Sequence, residues 1–489
     1  MPNRSRPSQA CELCRVKRRK CDLKKPACGQ CLRAKVQCAG YKDQLTLRMR
    51  DETHATAQKV LAAQERTSKY KSKPSILQEK SFEPLIYNSL GIDSEQVCLN
   101  HFMSYYAATS LFEYLPRLYD SIEMPKGDLN FALSVPGLAI LSEDMTVPAL
   151  LDLAYARYVS LLEIVQRALP VPKLAVKDST LLSVLLLALF ESLVFRGRQS
   201  PMNWTAHIEG AAQLLQLRGR KQFEQPVGRH LFLHTSHSLR TSCITHGIPV
   251  PSIISSLQSQ HAGVQRIDEH GPLIGAFLDR LAAFHAFAST MQASRFLQES
   301  RALVAGMDSM FAFLQRTAPP EPMVDLHLPE IANVFQLYVG ADLHKSQRSA
   351  WRWNTTFMLR LLLSDFIGDG LNRIDEEDGS LRGNLSEHDR TWLYDVAVLP
   401  IKDLVKGVFR SVPYMTNLSG CPQHSAKSLV LPLACIARCK SASEAAKMDA
   451  LNCLTYIGMK YGLHMATETA NMAREACGIE DWAVLPHFC

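Results

Sequence analysis

From Phe82 onward, apolar residues recur at intervals of three and four along most of the chain. Leu151, Ala154, Tyr158, Leu161 and Val165 share one helix face, because a turn takes 3.6 residues. Pro148 suits the first turn of that helix, where its missing N–H costs nothing, and the Pro-Val-Pro-Lys segment from Pro170 closes it. Asp178 or Ser179 is placed to cap the next helix, which is apolar on nearly every side from Leu181 to Phe195. Glu191 interrupts that stretch, and its length is too short to span a bilayer, so it reads as a buried core helix. Amphipathic runs also cover residues 97–115, 273–297, 349–367 and 442–465, and convincing alternating strands are absent. The pattern predicts a large all-α body over residues 82–489.

Residues before Phe82 follow a different rule. Over 46–81 a heptad register places Leu47, His54, Leu61 and Ser68 on one seam, with Arg50, Ala57 and Gln64 on the other. That is too polar for a coiled coil. A helix over 52–66 offers little to bury, chiefly Ala55, Val60, Leu61 and Ala62, so the segment reads as a flexible basic linker, partly helical at most. Charge sharpens the division. Residues 1–80 hold 20 Lys/Arg against 7 Asp/Glu, whereas the rest of the chain holds 34 against 40. A basic head on a mildly acidic body calls for a polyanion as partner of the head alone.

The opening MPNRSRPSQACEL has no apolar core of a secretory signal, so a reducing compartment is expected, with thiols or metal ligation rather than disulfides. Eight of the 14 cysteines (98, 243, 421, 435, 439, 453, 477, 489) are scattered and read as buried thiols. The other six are Cys11, Cys14, Cys21, Cys28, Cys31 and Cys38, spaced Cys-x2-Cys-x6-Cys twice over. Two residues between cysteines let both sulfurs reach one tetrahedral ion, and the third cysteine returns to it after a short helix. Ligand arithmetic favours a particular form. One zinc uses four thiolates and leaves two idle, while two zincs need eight positions, which six thiolates fill only if two bridge. No histidine lies in residues 1–53 to make up the number. A disulfide knot or a zinc ribbon fits the spacing less well.

The segment CELCRVKRRKCDLKKPACGQCLRAKVQC resembles the DNA-binding module of the fungal binuclear zinc-cluster transcription factors, including its basic run and Pro26 between the repeats. The resemblance implies two zinc ions, bridged by Cys11 and Cys28. Cys14 and Cys21 would complete one ion, Cys31 and Cys38 the other. It implies double-stranded DNA as partner, with the end of the first helix in the major groove over a CGG-type triplet. Lys17 and Arg18 then stand at the base-reading positions, where either can donate to guanine O6 and N7. Arg15, Arg19, Lys20, Lys24 and Lys25 become phosphate contacts or general field. The run RVKRRK also reads as a nuclear import signal, so the expected location is the nucleus. The resemblance favours a homodimer, yet the linker supplies no zipper, and monomer binding or pairing through the body stay open.

A second resemblance lies in LLSVLLLALFESLVFRGRQSPMNWTAHIEGAAQLLQLRG, residues 181–219, which is similar to the signature of the fungal-specific transcription factor regulatory domain. Trp204, His207, Gly210, Ala211, Leu214, Leu215, Arg218 and Gly219 carry it. Physically, Gly210 with Ala211 is expected to admit a close helix neighbour, Gly219 to end the helix, and His207 to be a hydrogen-bonded structural residue. No Gly-rich phosphate loop, Gly-x-Ser-x-Gly or His-Glu-x-x-His occurs, which argues against an enzyme. The function expected is transcription regulation of RNA polymerase II genes, such as a metabolic gene set, with transcription machinery or co-regulators as further partners and no membrane. A body that senses a small apolar metabolite is the alternative.

Overall fold

Among the described residues, polar and apolar positions sort into many helices. The computed structural model describes residues 11, 14, 21–22, 28–34, 36, 38, 94–107, 110–122, 124–195, 204–259, 271–323, 340–376, 385–418 and 422–474. The chain divides into two units, Met1–Gln78 and Glu79–Cys489. In the first, the short helix α1, Gly29–Arg33, is described. The linker, with its expected helix and its heptad register, lies outside the described residues.

The second unit opens with α2, Ser94–His101, followed by the hairpin of α3, Lys126–Met145, and α4, Pro148–Ala168. Thr146 makes the turn between them in a left-handed conformation (φ 54°), and Pro148 begins α4 as expected. Next come α5, Asp178–Leu193, α6, Trp204–Arg218, and α7, Pro226–Thr245. Every residue of α5 from Thr180 to Leu193 is buried, because α3, α4, α6 and α7 pack around it. Enclosure on all sides explains a helix without a polar face. Then follow α8, Gly271–Phe287, α9, Ala293–Thr317, and the 30-residue α10, Gln347–Glu376. Around α10 lie α11, Glu387–Val398, α12, Ile401–Pro413, and α13, Val430–Arg438, with α14, Glu444–Tyr461, and α15, His464–Arg474, against α13. Among the described residues no helix is long and apolar enough to cross a membrane.

The all-α expectation holds, with one small exception: β1, Glu321–Met323, pairs antiparallel with β2, Ala341–Leu343. Three local expectations need correction. Lys177, with extended backbone and no side-chain bond, is the N-cap of α5, and the Asp178 carboxylate turns instead to the Arg218 guanidinium. The run 97–115 is not one helix: it breaks into α2, a π turn over Phe102–Tyr106 and a short helix from Leu115. The run 273–297 is split by a 3-10 turn at Ala288–Thr290 into α8 and α9. The two flanking helices keep the same apolar periodicity, which hides the break.

Candidate metal centre and nucleic-acid interface

The six cysteines meet although they are spread over 28 residues of sequence. Their sulfurs form two sets, Cys11, Cys14, Cys21 and Cys28, and Cys11, Cys28, Cys31 and Cys38, each within 4.8 Å. Cys11 and Cys28 belong to both sets. The Sγ atoms of Cys11 and Cys28 lie 3.6 Å apart, Cys11 and Cys31 3.7 Å, and Cys14 and Cys28 3.7 Å. None of these pairs is a disulfide, since all six thiols are free. Two sulfurs held at about 2.3 Å by one tetrahedral zinc must stand about 3.8 Å from each other. The spacing therefore fits two ions sharing two thiolates.

Local structure explains how α1 brings its cysteines in. Cys28 caps the helix: its Sγ accepts the Cys31 N–H at 3.3 Å, so a sulfur of the cluster also satisfies a free donor at the helix start. Asp22 accepts the Gly29 N–H at 3.0 Å, and a Cβ at Gly29 would sit 2.5 Å from that carboxylate. Glycine is required there for contact. Neither Asp22 nor Gly29 stands out in the sequence, because their meeting depends on the fold. Crowding of thiols opposes ionisation. Burial, then hydrogen bonds with Cys11 and Cys28, push the Cys14 thiol up to about 12, and hydrogen bonding to Cys28 with burial raises Cys31 further. Four sulfurs this close ionise together only beside a cation, which a metal supplies. Arg15, Lys17, Arg18, Arg19, Lys20, Lys24, Lys25 and Pro26 lie outside the described residues.

Residues 9–48 match the fungal Zn(2)-Cys(6) binuclear cluster domain. The binuclear cluster domain binds two zinc ions and DNA, and the chain is a DNA-binding transcription regulator of the fungal zinc-cluster type. No curated protein and no solved structure matches the chain. The family match ends before the helical body begins.

In the body, the signature residues are positioned as structural groups. Trp204 is fully buried, and Gly219 follows α6 with φ 56°, the left-handed turn expected of a helix terminator. Gly210 departs from expectation: a Cβ there would meet nothing within 4 Å, so among the described residues no helix approaches it closely. His207 Nε2 stands 3.4 Å from the Tyr158 hydroxyl, which donates to Glu191 at 2.5 Å. Burial lowers the His207 pKa to about 4, so it is a neutral hydrogen-bonding group. Cys98, Cys243, Cys435, Cys439 and Cys453 are buried thiols, whereas Cys421, Cys477 and Cys489 lie outside the described residues.

Arg218 and Asp178 tie the end of α6 to the start of α5. The guanidinium is buried, and its Nε and Nη1 have no hydrogen-bond partner. Removing only the carboxylate strands a buried charge, so Asp178→Ala should lower stability by about 3–5 kcal/mol. Arg218→Met keeps bulk without charge and should cost less. Urea unfolding followed by tryptophan fluorescence measures both. Equal losses would mean that the ion pair is solvated.

Proposed function

We propose that this regulator reads a CGG-type triplet through Lys17 and Arg18, with Arg15, Arg19, Lys20, Lys24 and Lys25 anchoring phosphates. Cys11 and Cys28 bridge the two zinc ions, Cys14 and Cys21 complete one site, and Cys31 and Cys38 complete the other. The observation that carries this reading is the overlap of two four-sulfur sets at Cys11 and Cys28. In this reading residues 1–45 form the reader, 46–81 a basic linker and 82–489 a regulatory domain of the fungal transcription factor type. The regulator works in the nucleus on RNA polymerase II genes and recruits co-regulators. A short helix such as the one bearing Lys17 and Arg18 is marginal alone, and its metal-bound ends fix it.

Base reading and charge attraction separate in one titration. Arg18→Ala should cost about 1–3 kcal/mol on the preferred duplex and much less on a scrambled one. Lys24→Ala should weaken both duplexes alike and reduce the slope of log affinity against log salt by about one. Fluorescence anisotropy at several salt concentrations checks this. If both variants weaken both duplexes equally, the run is a general polyanion patch.

A specific observation favours effector sensing as a second reading. A cavity of about 40 Å³ lies among α7, α8, α10 and α13, lined by residues such as His237, Ile274, Leu278, Met358, Leu362 and Leu431. Its walls suit a compact apolar molecule. Binding would raise the melting temperature by mass action, and no rise across a panel of compact apolar compounds would remove this reading.

A further inference from the structure

The surface where α4 turns toward α5 leaves an unusual concentration of apolar side chains in water. Ile164, Leu169, Val171, Leu174 and Val176 are each exposed by 38% or more within 13 residues. A short helix, Pro172–Ala175, carries Leu174, and its amide bonds back to the Val171 carbonyl at 2.8 Å. The Arg218–Asp178 pair ties the end of α6 to the start of α5, and Leu217, next to Arg218 in sequence, is 57% exposed. Apolar side chains this exposed and this concentrated along the chain mark an interaction site rather than ordinary surface, where exposed apolar residues are scattered singly.

The rim of this patch carries the second observation. Arg167, Lys173 and Lys177 are exposed within the same stretch, and Arg220 and Lys221 just after α6, against the exposed carboxylates Glu163 and Glu224. The chain beyond residue 80 is acidic overall, with 40 Asp/Glu against 34 Lys/Arg, so a basic rim is a local reversal. We propose that this face docks an acidic segment of a partner protein, with apolar side chains on one helix face and carboxylates beside them. The centre takes the apolar residues and the lysines take the acids, which is how an amphipathic helix seats in a groove. A second copy of this chain fits worse. A two-fold interface sets a patch against itself and would bring the lysine rim against like charge. A membrane surface also fits worse, because none of the six apolar residues is an aromatic interface anchor. The co-regulator in the functional proposal is the natural source of such a segment, but the docking face stands on its own residues.

The test uses the full chain, saturated with duplex DNA so that the basic N-terminal segment is occupied. A fluorescent synthetic helix of alternating acidic and leucine-rich faces serves as probe, with a copy carrying lysine for each acid. The acidic peptide should bind at about micromolar Kd, and the lysine copy at least about tenfold more weakly. K173E/K177E should weaken the acidic peptide about tenfold or more and restore the lysine copy. L174D should weaken both, and M459D, on another exposed surface, should change neither. Unchanged melting temperatures confirm that the variants are folded, and the charge swap needs no apolar substitution. No binding, or binding indifferent to K173E/K177E, overturns the proposal. So does a concentration-dependent dimer that L174D abolishes, or capture of phosphatidylserine vesicles in place of the peptide.

Discussion

A chain carrying Cys28→Ser is expected to lose both zinc ions and to bind a matched duplex no better than a scrambled one. Cys28 lies in both four-sulfur sets and also caps α1, so one substitution removes a ligand from two sites and a cap from the helix. Structural zinc contributes on the order of 10–16 kcal/mol to a small module, far more than so short a segment can gain from its own core. Specific binding exceeds non-specific binding by about 10³–10⁷, and that margin disappears with the fold of the reader. Cys14→Ser touches only one set and should leave about one ion bound under limiting chelator. Cys453→Ser, a buried thiol in α14, should leave both. Metal content by mass spectrometry and duplex anisotropy on the same samples give the answer. Retention of one tight zinc in Cys28→Ser would break the shared-thiolate arrangement.

That centre was legible in the sequence because a metal site is a counting problem over nearby residues. Six thiolates, two ions and no histidine leave few arrangements. Asp22 was not legible, since nothing in the pattern says that its carboxylate meets the Gly29 amide. The body shows the same contrast. Gly219 ended its helix as its type suggests, and α4 began at Pro148. Asp178 looked like a cap and became the partner of Arg218, 40 residues away, because a buried guanidinium gains more from a carboxylate than a helix end does. The long α7 was hidden because Thr235, Ser236, Ser238, Arg240 and Ser242 are buried on it. Arg240 satisfies itself inside by donating to Asp279 at 2.7 Å and to Gln258 at 2.6 Å. Apolar periodicity cannot register a buried face made of paired polar groups.

The body should lose several kcal/mol of stability between pH 7 and pH 4.5, and buried histidines are the cause. His234 on α7 is 3% exposed beside Phe112 and Tyr114, and His344, after β2, is 5% exposed beside Tyr414. His234 Nε2 and both ring nitrogens of His344 have no hydrogen-bond partner, so no hydrogen bond at those atoms stabilises an added proton. Burial, with His237 nearby, lowers His234 from 6.5 to about 3, and burial lowers His344 to about 4 against the pull of Asp342. The sign follows from proton counting. Below pH 6.5 the unfolded chain binds protons that the folded chain refuses, so stability is full above that pH and is lost as pH falls toward 4. At about 1.4 kcal/mol per unit, each of the two groups costs roughly 2–3 kcal/mol by pH 4.5. His207 and His237, both lowered to about 4 by burial, add to the loss. Asp365 opposes it: burial raises its carboxyl from 3.8 to about 6, so its penalty is relieved as pH falls through 6. His230 is lowered as well, by burial and the nearby Arg117 and Arg229, so among the described residues one raised carboxyl stands against five lowered imidazoles and leaves a net acid lability. All five tryptophans lie beyond residue 200, so tryptophan fluorescence in urea reports on the body and not on the zinc module. His234→Phe and His344→Leu should each flatten the stability profile between pH 6.5 and 4.5, and Asp365→Asn should steepen it. A slope left unchanged by both histidine replacements would take the acid sensitivity away from these two imidazoles.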